Sequence, residues 1–467
     1  MRLPYEKLLR YRSQLAAAPR TVQAFALFVA VLPCSYQPMI SLGMASSAHL
    51  EISATIIAGL IFIGASLPRL WQHRRAVMTN RWLQLLGLLV AVAIISLLYT
   101  SDATRGAVLT GFMLYLWLLC AAIVIQIDAI IRFRQLLMTI VALSVVLSCL
   151  WAWCQIFATS FGVPAWMVAL PSWYDPGVFG FSRPTALFAE PQFLANFLLI
   201  PVIWLSAAYL REGRLARWQS VILWLGSTTL FATISRGGYL SLAVALVIMG
   251  AAHMSTWRRW VRLVAYHLLV FAVTISLLGV AAQIYPRDTI SGMSAVRAIV
   301  DQLSLGTIHQ PLPAPTPPGP ATTSPAPATP PAGYQINSTI SRTSMASDAI
   351  ALWSHDGSTV LRGVGVGGFG ESLARANPGY ARGNVVNNQF IEILTELGVI
   401  GLGMFIASLA YPVYAAYRRR CWVGSIMIVA LVIQWNFFSG NPNALHIWTV
   451  LGLTYAYATY HSRTALG

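Results

Sequence analysis

Charge is what this 467-residue sequence has least of: Asp, Glu, Lys and Arg together make up 9% of it. Soluble domains carry about 25%, so a cytoplasmic enzyme, a disordered scaffold and a fibrous protein are all excluded. Cysteine is scarce as well. Cys34, Cys120, Cys149, Cys154 and Cys421 lie in or beside apolar blocks, so they form no disulfide framework, and no Cys-x-x-Cys pair offers a metal site. The outer histidines His49, His309, His355 and His446 have no ligand spacing. No Asp-x-Asp occurs, which argues against a sugar-nucleotide transferase working through a carboxylate-bound divalent ion. Nor is there a Gly-x-x-x-x-Gly-Lys-Ser/Thr loop for ATP, so energy must come from the substrate or a gradient.

What is abundant is apolar sequence, 57% of the residues, in blocks of membrane-spanning length. The blocks are continuous and do not alternate with period two, which excludes an outer-membrane barrel. The expected fold is an all-α polytopic membrane protein of about twelve transmembrane helices. Their ranges are 21–44, 52–67, 82–98, 107–125, 136–157, 193–210, 218–234, 239–253, 263–284, 390–411, 422–438 and 444–460. The first lies behind five cations with no small-residue cleavage site after it, and reads as a retained helix.

The net charge of +16 is a topology signal. With the N-terminus inside, 21 of the 30 Lys and Arg residues fall on inner flanks and 9 on the outer side. The acids run the other way, with only Glu6, Asp128 and Glu212 inside. Every inner loop obeys the positive-inside rule, and nucleic acid is not needed to explain the basicity. The chain divides into a nine-span bundle (1–284), an outer loop domain (285–388) and a three-span part (389–467). Within the loop, residues 311–333 hold ten prolines and cannot bury a core, so they read as an extended insert. Helices are expected at 289–305 and 341–354. Another outer segment, 160–192, carries Trp166, Trp173 and Tyr174, as an interfacial belt would.

Few outer groups can do chemistry. Arg183, Arg236, Arg342 and Arg362 stand near membrane entry points or folded elements. Arg236, in the turn Ser235-Arg236-Gly237-Gly238, is the sharpest of them. A lone interfacial arginine commonly snorkels to headgroups. A guanidinium is also planar, multidentate and permanently charged, which suits phosphate oxygens, and several together would suit a lipid-linked diphosphate. Glu190 precedes Pro191 at the start of a span, and Glu392 and Glu396 share one helix face. Dipole compensation is the plain reading of all three, and acid–base chemistry the sharper one. The run Gly363 to Gly370 matches Gly-x-Gly-x-x-Gly twice, but no βαβ unit surrounds it. Backbone that wraps a ligand or packs tightly on a helix fits it better.

In this order, the motifs resemble the O-antigen ligase and polysaccharide polymerase superfamily. They are Arg183 through Phe188-Ala189-Glu190-Pro191, the Ser235-Arg236-Gly237 turn, Arg342 to Trp353 followed by the glycine run, and Asn387-Asn388-Gln389-Phe390 through Glu396 to Gly401. The resemblance spans about Arg183 to Tyr411. It implies a C-type glycosyltransferase arrangement with the large periplasmic loop between spans nine and ten, and no metal or cofactor. It also implies transfer of a glycan from undecaprenyl diphosphate to an acceptor at the periplasmic face of the bacterial inner membrane. Arg236 and Arg342 match the arginines that hold the diphosphate. Arg183, Arg362, Asn387 and Asn388 are the expected substrate-binding residues, and Glu190 the expected proton acceptor. Asn387 stands where the ligases have an essential histidine, and asparagine is no general base. The polymerase branch, which joins repeat units, is therefore favoured over ligation to lipid A core. The implied partners are the lipid-linked glycan, its acceptor, the bilayer and other polysaccharide assembly proteins. A transporter or flippase for a lipid-linked glycan is an alternative of another class, although no repeated halves are visible.

Overall fold

The computed structural model describes residues 13–45, 48–170, 179, 181–284, 334–378, 380–439 and 444–464. The proline-rich insert 311–333, the helix expected at 289–305, and Trp173 with Tyr174 lie outside them, as does the side chain of Arg342. Among the described residues the chain is helical with one short hairpin. In order come α1 (Arg20–Ala30), β1 (Met39–Ala45), β2 (Ala48–Ser53), α2 (Ala54–Gln72), α3 (Arg81–Ser96), α4 (Ala103–Arg132), α5 (Arg134–Ser160), α6 (Pro191–Glu212), α7 (Arg217–Ala232), α8 (Arg236–Ala252) and α9 (Trp257–Ile284). Beyond the loop insert follow α10 (Tyr334–Trp353), α11 (Gly357–Arg362), α12 (Phe369–Ala376), α13 (Gln389–Arg418), α14 (Trp422–Gln434) and α15 (Leu445–Thr464).

Six described helices are long and apolar enough to cross a membrane, namely α2, α4, α5, α6, α13 and the segment Met254–Ile284 that contains α9. Shorter apolar helices α1, α3, α8 and α14 lie among them. Large apolar side chains face outward in stripes, as with Leu143, Leu147 and Leu150 on α5 and Leu268, Leu269 and Val273 on α9. In lipid such stripes are the solvated face, so exposure here is no defect. The centre is α6, buried along most of its length and packed against α7, α8 and α14.

One expected span is overturned. The apolar block 21–44 forms helix only to Ala30, and residues 39–53 pair as an antiparallel hairpin, Met39 opposite Ser53 and Ile40 opposite Ile52. Pro33 and Pro38 explain it: neither can donate to a helical ladder, and each disfavours helix at the residue before it. The loop helix α10 is longer than the expected 341–354, starting at Tyr334. It packs on α13 together with α11 and α12.

Candidate functional site

The Ser-Arg-Gly turn is a tight helix-to-helix reversal. Ile234 takes a left-handed backbone (φ 50°), and Ser235 caps α8 by accepting from the Gly238 N–H at 3.4 Å. Arg236 is then the first residue of α8 and stands half-buried. The two glycines that follow serve packing. A β-carbon on Gly237 would meet the Phe437 ring at 2.8 Å, and one on Gly238 the Ala195 methyl at 3.0 Å.

Arg183 supports this turn from below. Its Nε donates to the Thr233 carbonyl at 3.0 Å and its Nη2 to the Ile234 carbonyl at 3.1 Å. A guanidinium on the carbonyls just past the end of α7 also complements the negative end of that helix. The structure thus gives Arg183 a first duty of holding the Arg236 turn in place.

Three helix N-termini meet at the end of α14. Glu190 is the residue before α6, and its carboxylate accepts from the Gln192 side-chain amide. Asn388 caps α13, its Oδ1 accepting from Phe390 N at 3.0 Å and Ile391 N at 3.1 Å. The other end of the same amide donates to the Asn436 carbonyl at 3.2 Å, and Gln389 N donates to the Trp435 carbonyl at 3.0 Å. Asn387, just ahead, has φ 57°. Gln434 completes the junction by donating to the Gln192 carbonyl at 2.8 Å and to Ser235 Oγ at 3.4 Å. The starts of α6, α8 and α13 therefore gather on one turn, residues 435–439. Each brings the partial positive charge of a helix start, to which Arg236 adds a full one. Such a junction favours an anion.

The glycine run is a latch between α11 and α12 and the long helix α13. Gly363, Gly365 and Gly367 have φ of 72°, 94° and 72°. The run lies across α13 and the turn before α4: Val364 N donates to Thr395 O and Gly365 N to Glu396 O, both at 2.9 Å, while Thr100 Oγ1 donates to Val366 O at 2.8 Å. A β-carbon on Gly365 would lie 2.5 Å from Thr100 Cα. Of the two roles read from the sequence, the structure displays tight packing on a helix. Arg362, the last residue of α11, is exposed and lies over the Tyr99 ring at 4.6 Å, while the Tyr99 hydroxyl donates to the Arg362 carbonyl. Burial pushes the Tyr99 phenol above its ordinary value against the opposing pull of Arg362. At the start of α11, bonds from Ser358 and Thr359 hold the capping carboxylate of Asp356 down at about 2. The backbone of Arg342 lies in α10.

Glu392 and Glu396 are more than exposed dipole partners. Glu396 is buried, and Arg105 at the start of α4 acts electrostatically on both carboxyls. Arg105 was not among the residues singled out from sequence, and neither were Asn196 and Gln434. Nothing in their local sequence marks them, since each acts only across a helix–helix contact. Two cavities, of about 390 Å³ beside Tyr414 and Arg418 and about 230 Å³ beside Tyr209 and Arg262, lie at the opposite ends of the helices from Arg236.

A family model described as O-Antigen ligase matches residues 221–406. The match takes in Arg236, Arg342, Arg362, Asn387, Asn388 and the glycine latch, and it leaves Arg183 and Glu190 outside. No curated protein matches the chain. The match supports the resemblance read from the motifs: over residues 221–406 this membrane protein is similar to the O-antigen ligase family, which indicates a ligase- or polymerase-type glycosyltransferase.

Proposed function

We propose that this chain polymerises polysaccharide repeat units, moving a glycan from undecaprenyl diphosphate to the hydroxyl of an acceptor glycan at the periplasmic face. The observation that carries the reading is the junction of three helix N-termini around Arg236, a cradle of partial positive charge at the end of the bundle where α10, α11 and α12 pack. In the reaction, the acceptor oxygen bonds to the anomeric carbon and the bond from that carbon to the diphosphate oxygen breaks. The electron pair leaves with the diphosphate, where charge develops. Arg236, with Arg342 from the loop domain, stabilises that charge, which is where a preorganised donor acts most strongly. Glu190, already oriented by Gln192, takes the hydroxyl proton. Asn387 in place of a histidine favours polymerase over ligase, because an amide cannot take that proton.

Purified protein in liposomes, supplied with undecaprenyl-diphosphate-linked repeat units, tests the reading. A polymerase lengthens the glycan on the lipid carrier with no other acceptor present. A protein that consumes the donor only when lipid A core is added is a ligase, and one that consumes neither but moves the lipid between leaflets is a flippase.

A further inference from the structure

Behind the Arg236 turn, four helices share one buried line of side-chain hydrogen bonds. It begins at His446 on α15, whose Nε2 lies 2.8 Å from Asn196 Oδ1 on α6. The Asn196 amide nitrogen donates to the Leu431 carbonyl at 3.3 Å and to Gln434 Oε1 on α14 at 3.0 Å. The Gln434 nitrogen donates in turn to the Gln192 carbonyl and to Ser235 Oγ. Asn196, Gln434 and His446 are at most 1% exposed.

The polarity of this line is fixed by its members. Asn196 spends its amide hydrogens on two carbonyl oxygens, so its own Oδ1 can only accept. His446 must then carry its hydrogen on Nε2. Every bond therefore points the same way, from His446 towards the two ends of the line. One end is the cap of the Arg236 helix, and the other is the first turn of α6, where Gln192 holds Glu190. Buried amides in a membrane bundle are costly unless each is paired, so a line of them requires an explanation beyond packing. Gln434 is the only described side chain shown donating to both of those ends.

We infer that Gln434, backed by Asn196 and His446, is a positioning residue that sets the spacing between the leaving-group arginine Arg236 and the proton acceptor Glu190. The inference rests on the proposed function, since those two roles come from it. It assigns no substrate contact to Gln434 itself. Its effect is on turnover: displacing Arg236 or Glu190 by a fraction of an ångström to an ångström spoils the attack geometry while the lipid-linked donor still binds.

The test uses the full-length protein in liposomes with undecaprenyl-diphosphate-linked repeat units. Gln434→Met keeps the volume and removes both donations, so kcat should fall about 10²-fold while KM for the donor changes by less than about 3-fold. Combined with Arg236→Lys, it should cost little further, because both changes act through one group. A wild-type kcat in Gln434→Met, or a loss that multiplies in full on top of Arg236→Lys, overturns the inference. If Gln434→Met does not accumulate, Ser235→Ala carries the test, since it removes one end of the line by deleting a single hydroxyl. A fall in kcat at constant KM supports the inference, and a wild-type kcat overturns it. A wild-type protein that ignores the lipid-diphosphate donor would instead overturn the proposed function, and this inference with it.

Discussion

Arg183 and Arg236 are the same residue type a turn apart in space, and they do different work. Arg183 is committed to the Thr233 and Ile234 carbonyls, so its removal should act on the fold. Arg183→Gln is expected to cost about 1–3 kcal/mol, the range for unpairing buried polar groups, seen as a lower melting temperature in detergent. Arg236 opens its helix at the junction, and Arg236→Lys keeps charge while losing the planar fork. Glycan assembly should fall about 10²–10³-fold with protein abundance unchanged. Polymer at wild-type level in Arg236→Lys would leave headgroup snorkelling as that arginine's role. The Ser-Arg-Gly motif was legible in the sequence because its residues are adjacent. The duty of Arg183 was not, because its partners lie 50 and 51 residues away and are main-chain atoms. Glu396 was half legible: its spacing from Glu392 is a local fact, but its burial depends on a loop that reaches it from residues 363–369.

At the level of elements, the long apolar helices could be read from composition, but the inner ends of α4, α9 and α13 run six or seven residues beyond the expected ones, at 132, 257 and 418 instead of 125, 263 and 411. The largest departure lies where chain-breaking residues interrupt an apolar block. The block 21–44 reads as one span by hydropathy, yet Pro33 and Pro38 divide it into a helix and a hairpin. The glycine run shows how a motif can be visible before its meaning is. Its spacing imitates a nucleotide loop, while its φ values serve to lay backbone against the Thr100 turn and the kink of α13 at Gly398. A side chain at Gly365 would meet both a left-handed backbone and Thr100. Gly365→Ala is therefore expected to release the latch, raising hydrogen exchange at the amides of Val364, Gly365 and Val366. Gly383→Ala, which has nothing within 4 Å of the new methyl, should leave exchange unchanged. Equal protection in both variants would show that the latch tolerates a side chain and contributes little to docking the loop.

For the whole molecule, the argument turns on which side of the membrane the junction faces. Cations gather at one end of the bundle and work there as helix terminators. Arg259 donates to the Leu210 and Arg211 carbonyls at the end of α6, and Arg69 pairs with Asp128 at 3.5 Å. These are the flanks that the positive-inside rule places in the cytoplasm. The Arg236 junction lies at the other end of α6 and of α13, beside the loop domain. Orientation can be tested at two alanines that the structure leaves exposed, Ala76 between α2 and α3 and Ala376 at the end of α12. In a cysteine-free background, an impermeant maleimide added to cells with a permeabilised outer membrane should label Ala376→Cys and leave Ala76→Cys unlabelled until the inner membrane is opened. The reverse pattern would put the three helix N-termini in the cytoplasm. A lipid-diphosphate glycan presented at the periplasmic face could not then reach Arg236, and the polymerase reading would fail with the topology.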